Sequence, residues 1–404
     1  MPFNYHSKIE GTYYPPGDKS ISHRALILAS HAIGESKISN LLEGEDVINT
    51  LKAMRSFGVK INKISDKYII FGIPPGGLFQ PKKTIYFGNS GTSIRLISGL
   101  IASNNITVTL TGDKSLSKRP MKRVTEHLSM IGAIIKLRKN TYPPIKIKGS
   151  GNAIPLTFNI IIPSAQIKSA IMLSALNTNG TVKIKEFKST RDHTENMLQS
   201  MGYNIKVKEN FKYRYIEMKN DKELKTINYK VPGDPSSAAF FITAACLKPG
   251  SKLIVKNILL NKTRIGFIKT LKSMGGNIKL IKKKKIHNEL IADLKVEQLN
   301  FLKSTTLKSS EVPLQIDEIP ILSIAASFAN GLTIFKGLRE LTVKESNRLL
   351  LINENLKKIG VKSIIKKYDL YIYGNNYLKE GGATIRHDDD HRILMSFYLS
   401  LIHI

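Results

Sequence analysis

The chain has 404 residues, 42% of them hydrophobic and 23% charged, with a formal net charge of +31 at pH 7; that length exceeds one ordinary core, so two or more domains are expected, and the balance excludes a disordered chain. The single cysteine, Cys246, excludes an internal disulfide and a thiolate zinc cluster. No apolar run reaches the ~18–20 residues of a membrane span, and the start Met1-Pro2-Phe3-Asn4-Tyr5-His6 lacks a basic-then-apolar signal peptide, so a cytoplasmic protein with no membrane partner is expected.

Residues 15–30 read Pro-Pro-Gly-Asp-Lys-Ser-Ile-Ser-His-Arg-Ala-Leu-Ile-Leu-Ala-Ser. A rigid turn leads into an apolar run suited to a helix, with Ser20 as the expected N-cap. Lys19 and Arg24 put positive charge at a helix start whose amides already favour anions. The stretch is not a P-loop, because Asp18 separates glycine from lysine and no glycine precedes at the required distance.

A polar loop opening into an apolar helix then recurs. The segments begin near Ser20, Thr92, Ser164, Ser236, Asp317 and Asp390, at offsets of 72, 72, 72, 81 and 73 residues. A second helix, ending in glycine and leading into β-branched residues, recurs at Leu51–Gly58, Leu128–Gly132, Leu198–Gly202, Leu271–Gly275 and Leu356–Gly360; the glycines suit helix C-caps. Short strands such as Thr107–Leu110, Thr181–Ile184 and Leu332–Phe335 lie between. The unit is two helices and several strands in roughly 72 residues, repeated six times, an α/β class. The sixth unit stops soon after its first helix.

Each helix start carries ligand-binding groups. Lys19, Ser20 and Arg24 open the first, Gly88–Arg95 forms a glycine-bearing turn at the second, and Ser164, Ala165 and Gln166 open the third. The fourth is Pro232–Ser237, the fifth Asp317–Pro320 and the sixth Asp388–Arg392. Arg119 lies in a loop before a helix, and Lys344, Glu345 and Arg348 form a further charged cluster. Helix N-termini aimed at one place concentrate positive potential and suit a substrate with several anionic groups. Asp388-Asp389-Asp390-His391 is read as a cap and ion-pair segment, not a metal site. Cys246, inside an apolar helix, is read as a buried small hydrophobe. The longest basic run, Lys282–Lys285, has no interleaved aromatics, so no nucleic-acid partner is expected.

The segments Gly17–Arg24, Gly88–Leu96, Leu116–Pro120, Ser164–Lys168, Arg191–Glu195, Gly233–Ala238, Asp317–Pro320, Lys344–Leu349 and Asp390–Arg392 resemble, in order, those of the 5-enolpyruvylshikimate-3-phosphate synthase family. The resemblance covers essentially the whole chain. It implies a two-domain enolpyruvyl transferase fold, an inside-out α/β barrel of βαβαββ units closing on substrates between the domains. The first domain would be residues 19–231 and the second residues 1–18 with 232–404. The implied reaction moves the enolpyruvyl group of phosphoenolpyruvate to the 5-hydroxyl of shikimate 3-phosphate and releases phosphate, with no cofactor and no metal, in a monomer.

Carried over by position, the resemblance gives shikimate 3-phosphate the contacts Lys19, Ser20, Arg24, Ser164, Ala165, Gln166, Asp317 and Lys344. Phosphoenolpyruvate would meet Lys19, Gly91, Arg119, Gln166, Arg348 and Arg392. Asp317 would accept a proton, Glu345 would donate one, and Lys19 would share the acid role. A glycine at position 91 also implies that the inhibitor glyphosate is admitted. The family continues past Arg392 with a lysine that contacts phosphoenolpyruvate, at a position beyond Ile404, so this 404-residue chain is expected to be less active and less stable than an extended form.

Three alternatives stand beside this reading. A UDP-N-acetylglucosamine 1-carboxyvinyltransferase shares the implied fold but depends on a loop cysteine, and Thr111–Pro120 contains none. The others are an inactive remnant and a basic RNA-binding repeat protein, which a gel shift at physiological salt would detect.

Overall fold

The structure, a computed structural model, describes residues 8–187, 190–375 and 382–400. The first succession is β1 (Glu10–Tyr13), α1 (Lys19–Ala29), β2 (Gly34–Ser39), α2 (Glu45–Ser56), β3 (Lys60–Ile64) and β4 (Lys67–Gly72). The second is β5 (Ile85–Tyr86), α3 (Gly91–Ser103), β6 (Thr107–Thr111), α4 (Lys122–Met130), β7 (Ile134–Arg138) and β8 (Tyr142–Lys148). The third is β9 (Thr157–Ile160), α5 (Ala165–Ala175), β10 (Thr181–Phe187), α6 (His193–Ser200), β11 (Asn204–Glu209) and β12 (Tyr213–Lys219). The fourth is β13 (Asn228–Lys230), α7 (Pro235–Leu247), β14 (Lys252–Leu259), α8 (Gly266–Ser273), β15 (Ile278–Ile286) and β16 (Glu289–Glu297). The fifth is β17 (Thr306–Leu307), α9 (Ile319–Ser327), β18 (Gly331–Phe335), α10 (Arg348–Lys358), β19 (Lys362–Lys366) and β20 (Asp369–Gly374), and α11 (His391–Ser400) opens a sixth.

Five four-stranded sheets result, each with the order first, second, fourth, third, as in β5-β6-β8-β7. The leading strand runs parallel to the second, and the fourth runs antiparallel to it. In two sheets the leading strand comes from elsewhere in the chain: β13 pairs with β2, and β1 pairs with β14. The chain accordingly divides into one compact unit of residues 17–231 with 287–289, and another of residues 1–16, 232–286 and 290–404. Among the described strands the sheets stay open instead of closing into a barrel.

The first helix of each repeat is buried on nearly all sides. Nine residues of α1, eleven of α3 and nine of α5 are buried, which requires the near-continuous apolar sequence those helices carry. In the other unit α7 and α9 are covered in the same way, and Cys246 is fully enclosed, its thiol pushed up to about 12 by burial. Strands alternate buried and exposed residues, as β8 and β10 show, so each sheet covers the helices with one face and meets water with the other. The helix-ending glycines at 58, 132, 202, 275 and 360 all take positive φ, from 79° to 100°, as the C-cap reading expects.

Part of the positive charge lies on the sheet edges. The third strand of every repeat forms a sheet edge, and these edges expose Lys60 and Lys63, Lys136, Lys206 and Lys208, Lys282–Lys285, and Lys362 and Lys366. Lysine on an open edge discourages strand addition by another chain. The longest basic run, Lys282–Lys285, is thus part of one solvated edge strand among five.

Candidate active site

In the unit of residues 17–231 the first helix start differs in detail from expectation. Asp18, not Ser20, caps α1, accepting the Ile21 amide at 2.8 Å. Asp18 stands three residues before Ile21 and can reach its amide, which leaves Lys19 and Ser20 inside the first turn. Gly17 is required there, because a Cβ would lie 2.0 Å from the Asn40 carbonyl oxygen. Lys19 is partly exposed and pairs with Asp46 at 3.1 Å.

Arg24 is buried, and three of its nitrogens are engaged. Nε donates to Thr194 Oγ1 at 2.7 Å, one terminal nitrogen to the Ser20 carbonyl at 2.9 Å and the other to Ser169 Oγ at 2.7 Å. It therefore ties α1 to α5 and α6.

At the second and third helix starts Ser90 caps α3 and Ser164 caps α5, with Ala165 as the first helical residue. Arg95 joins the two: one terminal nitrogen donates to the Gly91 carbonyl at 3.0 Å and to Gln166 Oε1 at 2.8 Å. Gln166 Nε2 donates to Thr92 Oγ1 at 3.0 Å, and Arg119 donates to Asn89 Oδ1. A Cβ at Gly91 would stand 2.9 Å from Arg95 and 3.0 Å from Arg119. Gly91, Arg119 and Gln166, distant in sequence, are thus brought to one place with Arg95 at its centre.

Two buried networks support these groups. His23 Nδ1 shares a hydrogen bond with Thr50 Oγ1 at 2.8 Å, and Thr50 Oγ1 with Ser93 Oγ at 2.6 Å; Ser93 Oγ donates to the carbonyl of Asp46, the partner of Lys19. Lys168, fully buried, pairs with Glu186 and Glu195 at 2.9 Å each. A third cluster, Asp192, His193 and Glu289, has ligand atoms within 4.8 Å of one another. Asn196 donates to both carboxylates, Arg214 pairs with Asp192, and His193 Nδ1 lies 2.8 Å from Glu289. The carboxylates are thus paired within the cluster, which reads as an ion-pair knot, while the buried His193 Nε2 makes no hydrogen bond among the described residues.

Burial lowers the His23 pKa to about 3 and the His31 pKa to about 4. Both stay neutral in the folded protein, whereas the unfolded chain gains protons below about pH 6.5. Stability is therefore complete above that pH and falls as pH drops, by about 1.4 kcal/mol per unit for each ring until its folded pKa is reached. In denaturant titrations His23→Gln should lose less stability between pH 6 and pH 4 than the unaltered protein; an unchanged slope would remove His23 from the account.

The other unit gathers the remaining charged residues around one carboxylate. Asp317 lies 3.7 Å from Lys344 and 3.5 Å from a terminal nitrogen of Arg348. Arg348 is completely buried; it pairs with Glu345 at 2.6 Å and, through Nε, with Asp390 at 2.7 Å. Burial opposes its charge, yet Glu345, Asp390 and Asp317 outweigh that and raise its pKa.

Asp390 also accepts from Ser346 Oγ and from the Arg392 amide, each at 3.0 Å, so it is a cap and ion-pair group at the start of α11. Arg392 donates to the Asp317 carbonyl at 3.2 Å. Asp317, Lys344, Glu345, Arg348 and Arg392 therefore form one cluster, held from beneath by Asp390 and Glu318. Sequence reasoning assigned no role to Asp46, Arg95 or Glu318, whereas Asp390 takes the cap and ion-pair role expected of its segment. Arg95 lies inside a quoted motif and Glu318 adjoins Asp317, but nothing local marks Asp46 as the partner of Lys19.

The chain matches the family model described as EPSP synthase (3-phosphoshikimate 1-carboxyvinyltransferase) over residues 4–402. It is 45% identical over 394 residues to the 3-phosphoshikimate 1-carboxyvinyltransferase of Zymomonas mobilis, covering 96% of this chain and 87% of the relative. It is 44% identical over 399 residues to that of Sphingopyxis alaskensis, covering 97% and 89%. A solved EPSP synthase from Acinetobacter baumannii superposes with a TM-score of 0.86 at 36% identity, covering 98% of this chain and 90% of that one. A helix-start motif with lysine, a glycine turn flanked by two arginines, and an aspartate ringed by cations recur in a chain that matches over nearly its whole length; it belongs to the EPSP synthase family.

Proposed function

We propose that this protein transfers the enolpyruvyl group of phosphoenolpyruvate to the 5-hydroxyl of shikimate 3-phosphate and releases phosphate, on the route to chorismate and the aromatic amino acids. The observation that carries the reading is the Asp317 cluster, where a carboxylate stands among Lys344, Arg348 and Arg392 with a second carboxylate, Glu345, on Arg348. In the addition step the 5-oxygen bonds to C2 of phosphoenolpyruvate, Asp317 takes the hydroxyl proton, and Glu345 with Lys19 supplies a proton to C3. In the elimination step the C2–O bond to phosphate breaks, C3 returns its proton to the Glu345 and Lys19 side, the proton held on Asp317 leaves with the phosphate, and the enol ether forms. The cations offset charge on the tetrahedral intermediate and on the leaving phosphate.

The residue roles belong to the same proposal. Lys19, Ser20, Arg24, Ser164, Ala165, Gln166, Asp317 and Lys344 hold shikimate 3-phosphate, while Lys19, Gly91, Arg119, Gln166, Arg348 and Arg392 hold phosphoenolpyruvate. The two compact units are read as the two domains, and the enzyme as a cytoplasmic monomer. No helix among the described residues is long and apolar enough to cross a membrane. The test is phosphate release that requires both substrates together; release with either one alone, or none with both, contradicts the reading.

Gly91 gives a sharper prediction. A methyl group there would press on the terminal nitrogens of Arg95 and Arg119, which are flexible and yield by a few tenths of an ångström. Gly91→Ala should raise the KM for phosphoenolpyruvate by a few-fold, at about 1 kcal/mol of lost uniform binding, and weaken glyphosate by a larger factor. Steady-state rates with and without inhibitor check it, and equal inhibition of both proteins would refute it.

A further inference from the structure

Glu318 is an acid at a helix start that does not cap its helix. Its carboxylate is almost fully enclosed and stands 3.9 Å from a terminal nitrogen of Arg392. The same oxygen, Oε1, accepts from Ser236 Oγ, which itself accepts from Arg264 at 2.9 Å. Arg264 in turn pairs with Asp234 at 3.3 Å, and Asp234 caps α7. An unbroken chain of polar contacts thus runs from the cap of α7 to the guanidinium at the start of α11.

We infer that Glu318 is a positioning residue for the reaction, its buried carboxylate holding the Arg392 guanidinium in the orientation that meets phosphoenolpyruvate. Arg392 is the second residue of α11, where the helix dipole repels a cation. A carboxylate oxygen 3.9 Å from one of its terminal nitrogens offsets that repulsion. The Asp317 carbonyl takes the same terminal nitrogen at 3.2 Å, which leaves the opposite edge of a five-donor fork for an anion.

Enclosing a charge is costly unless it is paired, and the structure shows both the cost and the pairing. The pKa of Glu318 is raised, because burial and the neighbouring Asp317 outweigh Arg392, Arg264 and the Ser236 hydrogen bond, which act to lower it. A residue needed only to hold Ser236 could be an uncharged amide. The carboxylate is explained by its second neighbour, Arg392.

The inference rests on the proposed contact between Arg392 and phosphoenolpyruvate, and a double-mutant cycle separates the two. Steady-state kinetics would be measured for the full chain, Glu318→Gln, Arg392→Ala and the double variant, with thermal melts alongside. Glu318→Gln should raise the KM for phosphoenolpyruvate about tenfold while kcat changes by less than about threefold, the pattern of lost binding. In the Arg392→Ala background the same change should have no further effect on KM, because residues acting as one unit are not additive.

An unchanged KM in Glu318→Gln, or an equal rise with Arg392 already removed, overturns the inference. An unchanged KM in Arg392→Ala alone overturns instead the assignment of Arg392. Should Glu318→Gln fail to fold, Ser236→Ala cuts the chain one link lower and should raise the same KM by a smaller factor; no rise there also overturns the inference.

Discussion

Asp317→Asn should lower kcat by about a thousandfold, within the range lost when a positioned general base is removed, while the KM for phosphoenolpyruvate changes less than about tenfold. The amide keeps the shape of the carboxylate but cannot take the hydroxyl proton. The surroundings explain why the variant should still fold. Arg348, the buried cation nearest Asp317, keeps Glu345 at 2.6 Å and Asp390 at 2.7 Å, so no charge is stranded. Phosphate release with both substrates present measures the effect, and the melting temperature checks the fold. A kcat within tenfold of the unaltered protein would remove Asp317 from the proton-transfer role.

Lys168→Ala should cost about 3–5 kcal/mol, the penalty for breaking a buried ion pair from one side. The ammonium is fully enclosed between Glu186 and Glu195. Among the described residues Glu186 would retain the Thr190 hydroxyl and amide, and Glu195 the 3.5 Å approach of Arg214. For a unit of this size the loss corresponds to a fall in Tm of order 10 °C. Lys168 also stands two residues after Gln166 on α5, so the remaining folded protein should show a raised KM for phosphoenolpyruvate. Combining Lys168→Met with Glu186→Gln should recover part of the stability, because one of the two stranded carboxylates is then absent. A Tm within a few degrees of the unaltered protein in Lys168→Ala would show that the carboxylates find other partners.

The buried arginines follow the same principle with different consequences. Arg24 and Arg348 both hold structure while lying where ligands are proposed. Arg24 donates to Thr194, Ser169 and Ser20, all neutral oxygens. Arg348 is instead surrounded by the carboxylates of Glu345, Asp390 and Asp317.

Most of the architecture was legible in the sequence because its signals are local. Near-continuous apolar runs marked the buried helices α1, α3, α5, α7 and α9, and spaced glycines marked the ends of α2, α4, α6, α8 and α10. A spacing of about 72 residues exposed the repeat, and polar loops marked the helix starts within two residues. Even the error at Ser20 was local, since Asp18 and Ser20 are both good caps and only the backbone path through Gly17 and Asn40 decides between them.

The tertiary structure decided what no neighbouring residue can specify. The exchange of β1 and β13 between sheets is invisible locally, because a short strand carries no signal for its partner. The pairing of Lys19 with Asp46, of Lys168 with Glu186 and Glu195, and of Arg348 with Asp390 depends on where separate helices come to rest. So does the meeting of Gly91, Arg119 and Gln166 around Arg95. The sequence by itself determined the repeat, the helix starts and the family's motifs, since caps and apolar periodicity act within a few residues. Which charge answers which was left to packing, because desolvation and Coulomb energy depend on burial and distance in space, not on separation along the chain.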